Sequence, residues 1–136
     1  MFHLSIVTPE KVFYEAEVAS VVVPGTEGYL GVLSNHAPLI TALKPGQIEL
    51  RDADNKIQLF AVSGGFLEVS SNTATLLADA VEKADEINVE RAQAAYDRQR
   101  ELIAKAGDSE IAVDLAEARA AMERAANRMR VHRDNL

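Results

Sequence analysis

Apolar and polar positions alternate with a strand's period over the first part of the chain. Phe2, Leu4 and Ile6 alternate with His3, Ser5 and Val7, which predicts a strand with at least one buried face, ending at Thr8-Pro9. Lys11 to Glu17 and Val18 to Val23, rich in β-branched and aromatic residues, predict a second and a third strand. From Val21 to Thr41, Gly25, Gly28 and Gly31 with Pro24 and Pro38 punctuate two short apolar runs, the pattern of strands joined by tight turns. Gly46 to Arg51 and Lys56 to Val62 alternate on either side of the turn cluster Asp52-Ala53-Asp54-Asn55, so they predict a hairpin. Gly64-Gly65 opens Phe66 to Val69, Ser71-Asn72 turns again, and Thr73 to Leu77 is the last strand. About 8–10 short strands at this spacing predict a sandwich or flattened barrel.

The period then changes. Residues 79–86 form a short acidic connector, after which Asn88 can cap a helix with apolar or small positions at Val89, Ala92, Tyr96, Ile103 and Ala106. Gly107 closes that helix, and Asp108 or Ser109 opens a second. There Ile111, Leu115, Ala118, Met122, Ala125 and Met129 make a single amphipathic stripe. A connection of about one to three residues predicts an antiparallel two-helix hairpin. The fold class is therefore α+β: an N-terminal all-β sandwich over residues 1–86, including the connector, and a helical hairpin over 87–136. Two of the six stripe positions are alanine and two methionine, so the hairpin brings few large apolar side chains. It is expected to fold mainly while docked on something, the sandwich being the nearest candidate; a permanently docked hairpin is the other reading.

Charge supports the same boundary. Residues 1–86 hold 5 Lys and Arg against 12 Asp and Glu, which is the whole of the net −7, while residues 87–136 hold 9 of each. An acidic first part argues against a nucleic-acid-binding face there, since phosphate neutralisation needs clustered cations. No apolar run approaches the length of a membrane span, so no direct membrane insertion is expected. The first residues have neither the basic nor the long apolar region of a signal or transit peptide. Without cysteine there is no disulfide, thiol nucleophile or zinc-thiolate site.

Candidate chemistry is sparse. Gly25-Thr26-Glu27-Gly28 lacks the Gly-Lys-Ser/Thr of a phosphate loop. Ser34 and His36, two apart, would share a face on an extended segment, but no acid or oxyanion partner can be assigned, and no enzyme site is expected. His3, His36 and His132 are too scattered to suggest a metal. Arg124 and Arg128 are spaced for one helical face, with Arg130 and Arg133 close behind. Two explanations stand: complementing the dipole at a helix C-terminus, or receiving an anionic partner such as an acidic loop or a nucleotide phosphate.

Gly28-Tyr29-Leu30-Gly31-Val32-Leu33 followed by Ser34-Asn35-His36-Ala37-Pro38-Leu39-Ile40-Thr41 resembles the signature segment of the ε subunit family of F-type ATP synthases. Lys44-Pro45-Gly46 and Val62-Ser63-Gly64-Gly65-Phe66-Leu67-Glu68-Val69 are similar to the same family in the same order, and the likeness spans essentially the whole chain. The resemblance implies a non-catalytic central-stalk (rotor) subunit whose sandwich binds γ and touches the c-ring, and whose mobile hairpin extends along γ and inhibits ATP hydrolysis. It implies a c-ring-facing turn from Thr26 to Leu33 with Tyr29 at its tip, using Thr26, Glu27, Tyr29, Leu30, Val32 and His36. Arg124, Arg128, Arg130 and Arg133 would meet the catalytic β subunits in the extended state. No cofactor is required. In the alternative, ATP locks the folded-down hairpin. Some members bind ATP through Ile-Asp-x-x-Arg-Ala, read here as Ile87-Asn88-Val89-Glu90-Arg91-Ala92, with Glu82, Arg98, Arg124 and Arg128 in support. The implied location is peripheral, on the cytoplasmic face of a bacterial inner membrane or the stromal face of a thylakoid.

Overall fold

The structure, a computed structural model, describes residues 1–105 and 114–135. The chain divides into two compact units, Met1–Ala84 and Asp85–Leu136.

The first unit is a β-sandwich of nine strands: β1 Phe2–Val7, β2 Val12–Gly25, β3 Gly28–Leu33, β4 Leu39–Leu43, β5 Gly46–Asp52, β6 Ile57–Val62, β7 Gly65–Ser70, β8 Thr73–Ala78 and β9 Val81–Lys83. All pairings are antiparallel except β1 with β8. One layer runs β1-β8-β7-β4, and the other runs β3-β2-β5-β6-β9. The two segments expected to be separate strands, Lys11 to Glu17 and Val18 to Val23, are one continuous β2. Its first half pairs with β1, and its second half lies between β3 and β5. A register shift between Val18 and Ser20 lets the strand pass from one layer to the other without a turn.

Alternation decides what faces the core. β1 buries Phe2, Leu4 and Ile6 and leaves His3, Ser5 and Val7 part-exposed. These meet Val18, Val21 and Val23 of β2, Ile48 and Leu50 of β5, Phe60 of β6 and Leu67 of β7, all buried. Phe13 and Tyr14 set their ring edges against Phe60 at 6.0 and 5.9 Å. Burial, and then the nearby Asp52 carboxylate, push the Tyr14 phenol up.

Turn chemistry fixes the hairpins. Between β7 and β8, Ser71 and Asn72 both take left-handed backbone angles (φ 51° and 59°), as a two-residue hairpin turn of this hand demands. Between β5 and β6, Asp52 Oδ1 accepts from the Asp54 and Lys56 amides, and Gln58 Nε2 donates to Oδ2. The expected acidic connector contains two short elements. Val81–Lys83 adds to β6 as a strand, and Ala84–Glu86 is a 3-10 turn, because the edge of β6 supplies partners that a sequence pattern does not display.

The second unit pairs α1, Val89–Lys105, with α2, Leu115–Asp134. Asn88 Oδ1 accepts from the Arg91 amide at 3.0 Å, the capping bond expected of it. Asp108 and Ser109, expected to open the second helix, lie outside the described residues. Asp114 is extended (φ −79°, ψ 97°) and its carboxylate accepts from Glu117 N, so α2 starts after it. Ala106, Gly107 and Ile111 lie outside the described residues. Ala118 and Ala125 of the stripe are buried, but so are Asn127 and Val131, roughly half a turn round the helix at about 100° per residue. α2 is therefore not the one-faced helix its stripe predicts. Tyr96 and Ile103 of α1 share a shallow groove with Arg119, Met122, Glu123 and Ala126 of α2.

Candidate interaction surface

The outer face of the first layer carries an apolar row that its own strand patterns do not need. β7 alternates buried Gly65, Leu67 and Val69 with exposed Phe66, Glu68 and Ser70, so Phe66 stands where a polar residue would serve. Leu77 does the same on β8, beside Thr73 and Thr75. Register aligns them: Val12 faces Val7, Val7 faces Leu77, Leu77 faces Phe66 and Phe66 faces Ala42. That apolar rib crosses five strands, about 19 Å at the usual strand spacing. Ile40 flanks its β4 end and is 75% exposed. Scattered surface hydrophobics need no explanation, but a contiguous rib marks an interaction site. The signal was present in the sequence, as large apolar residues at the polar parity of alternating strands.

The glycine-rich hairpin is built differently from expectation. Its tip is Thr26-Glu27, both exposed, between the paired Gly25 and Gly28, whose φ of 136° favours glycine. Tyr29 is not at the tip. It lies in β3 opposite Pro24, and its Oη accepts a hydrogen bond from the Gln47 amide at 3.2 Å. Tyr29 and Leu33 point outward. Leu30 packs partly on the core, and Val32 is 1% exposed within it, so Val32 has no surface to offer a partner. β3 pairs Leu30 and Val32 with Val23 and Val21, and this pairing turns both inward.

Ser34 and His36 do not share an extended face. The His36 amide bonds Leu33 O, and Asn35 takes φ 60°, so a tight turn intervenes. His36 Nδ1 lies 2.7 Å from Ala37 O. Asn72 anchors this turn: its Oδ1 accepts from Asn35 N at 2.7 Å and its Nδ2 donates to Met1 O at 3.0 Å.

The residues proposed for ATP divide between the units. Glu82 stands on β9 in the first. In the second, Ile87 is 5% exposed and Ala92 fully buried, which leaves neither side chain open to a nucleotide. Asn88 Oδ1 is committed to the cap, while Arg91 and Arg98 are exposed on α1. On α2, Arg124 pairs with Glu117 at 2.9 Å, Arg130 donates to Asn127 Oδ1 at 2.9 Å, and Arg133 lies 3.8 Å from Asp134. Arg128 is half-buried. Among the described residues no group of His, Asp or Glu is arranged to hold a metal, and no helix is long and apolar enough to cross a membrane.

Comparison with known proteins accounts for nearly the whole chain. Residues 1–84 match the family model described as ATP synthase, Delta/Epsilon chain, beta-sandwich domain, and residues 85–132 match the ATP synthase, Delta/Epsilon chain, long alpha-helix domain. The ATP synthase epsilon chain of Desulforamulus reducens is 44% identical over 93% of this chain and 93% of its own length. That of Moorella thermoacetica is 43% identical over 94% and 93%. A chain in the Euglena gracilis mitochondrial ATP synthase OSCP/F1/c-ring structure has the same fold, with a TM-score of 0.78 at 22% identity over 91% of this chain and 76% of that one. The chain belongs to the ATP synthase delta/epsilon chain family.

Proposed function

We propose that this chain is a central-stalk subunit of an F-type ATP synthase, with no active site of its own, in which the sandwich joins γ to the c-ring and the hairpin restrains ATP hydrolysis. The observation that carries this reading is the apolar rib through Leu77 and Phe66, a surface with no role in the sandwich core and of a kind that a protein partner covers. γ is the partner assigned to it. The c-ring is assigned to the Thr26-Glu27 tip with Tyr29 and Leu33, because an exposed two-residue tip on an edge hairpin can enter a shallow polar surface. Such a subunit works at a membrane without entering it.

Restraint of hydrolysis falls to the helices. At about 1.5 Å per residue, α1 and α2 would reach roughly 26 and 30 Å along γ if extended. Arg124, Arg130 and Arg133 would then exchange partners on their own helix for acidic groups of the catalytic β subunits, with Arg128 beside them. The test is a chain ending at residue 86, reconstituted with the remaining subunits. Assembly is expected to persist and ATPase activity to rise, whereas unchanged hydrolysis at low and high driving force would remove the brake.

A second reading, in which ATP locks the hairpin, draws on Arg91 and Arg98, exposed on one side of α1 and seven residues apart. MgATP titrated into the full chain tests it, and the absence of heat or chemical-shift change at millimolar nucleotide would dispose of it.

A further inference from the structure

The apolar rib has an acidic margin. In the adjacent row, about 7 Å along the strands, register places Glu15, Ser5, Thr75, Glu68 and Ile40 side by side. One row further, Glu17 faces His3, which faces Thr73. Glu15, Glu17 and Glu68 are all exposed. His3 sits between the first two: its Nε2 is 3.0 Å from Glu15 Oε1 and its Nδ1 is 3.5 Å from Glu17 Oε1, with Ser5 Oγ 3.4 Å from Nε2. His3 thus lies between the two carboxylates at one end of the face. Lys and Arg are absent from β1, β2, β4, β7 and β8, so no lysine or arginine on these strands offsets the margin.

We propose that this margin selects and orients the occupant of the rib: a polypeptide surface that lays apolar side chains over Leu77 and Phe66 and sets Lys or Arg over Glu15, Glu17 and Glu68. The proposal rests on the reading that γ docks on this face, and it adds the charge pattern γ must carry there. A second copy of this chain is a poor occupant, because a twofold contact brings the same acids together, on a unit whose charge is already strongly negative. An anionic lipid surface is disfavoured for the same reason. Charges at the rim of an apolar contact act mainly on encounter and register, so the margin governs how fast and in which orientation γ arrives, and the rib governs how long it stays.

The test uses the full chain and γ, with association and dissociation rates measured at low and high salt. The double variant Glu15→Lys, Glu17→Lys is expected to slow association at least about tenfold at low salt and much less at high salt, with dissociation changed by less than about threefold. The double variant Glu15→Gln, Glu17→Gln, which keeps the shape of the face, gives a smaller loss in the same direction. Thermal unfolding of each verifies the fold. Association rates and salt slopes unchanged in both variants would overturn the margin's role while leaving the docking reading intact. No binding of γ by the wild-type chain at any salt would overturn the docking reading itself. Self-association abolished by Phe66→Ser would assign the face to a second copy.

Discussion

Phe66 and Leu77 stand directly opposite each other on β7 and β8, with 56% and 50% of their surfaces in solvent. Their chain neighbours Leu67 and Leu76 form the next cross-strand pair, facing the other way, and both are fully buried. One pair holds the sandwich together and the other is available to a partner, and only the pleat separates the two roles. A one-residue slip of register would exchange them, so the tight Ser71-Asn72 turn that sets the register also sets the partner surface.

Gly46 is where the glycine-rich hairpin meets β5. A Cβ added there would lie 2.5 Å from Pro24 Cβ and 3.0 Å from Tyr29 Oη. Gly46→Ala is therefore expected to destabilise the sandwich by about 1–3 kcal/mol and to weaken the Tyr29 to Gln47 hydrogen bond. Denaturant unfolding, with exchange of the Gln47 amide, measures both.

Asn72 joins the Asn35 turn to Met1 through its side chain while its own backbone is left-handed. Asn72→Gly keeps that backbone accessible and removes both bonds. Asn72→Ala adds the strain of a left-handed alanine, about 1 kcal/mol or more. The expected order of stability is wild type, then Gly, then Ala, with faster exchange of the Asn35 amide in both variants. An Asn35 amide equally protected in all three would contradict the anchor.

Asp52 is held below the usual carboxylate range, first by the Lys56 amide and then by Gln58 and the Asp54 amide, against a desolvation that raises it. A carboxyl whose folded pKa is depressed contributes stability that is fully present above its unfolded value, about 3.9, and is lost as pH falls through the folded value. Asp52→Asn should therefore lower Tm at neutral pH, and the gap from wild type should close below about pH 4. A gap independent of pH would mean that the carboxylate charge plays no part in the turn.

Much of the strand layout was legible because alternation in β1, β5, β7 and β8 matches burial residue by residue. Elements fixed by a distant partner were not. β2 reads as two strands because neither half shows that it pairs in different layers, and β9 reads as a connector because β6 alone makes it a strand. Asp114 caps α2 by accepting from Glu117 N, and an apolar stripe does not by itself mark where a helix starts. On the surface, His36 and the Thr26-Glu27 tip are singled out by the family resemblance alone. The rib is hard to read because Phe66 and Leu77 look like core residues until their parity is counted, and only the pairing of β3 with β2 turns Val32 from the surface into the core.

Asn88→Ala removes the acceptor for the Arg91 amide and should destabilise the start of α1 by about 1 kcal/mol. Hydrogen exchange would locate the loss in the first turn of α1 with the strands unaffected. Asn88→Asp should keep the cap, and because a carboxylate suits a helix N-terminus, it should protect that turn at least as well as the wild type.

The most direct measurement is the affinity of the full chain for γ, wild type against the double variant Phe66→Ser, Leu77→Ser. Both side chains are half exposed, so thermal stability should change by no more than about 1 kcal/mol. Binding should weaken at least about thirtyfold, the loss typical of truncating a central aromatic anchor. Equal affinity for γ in two equally folded proteins would contradict the assignment of this face.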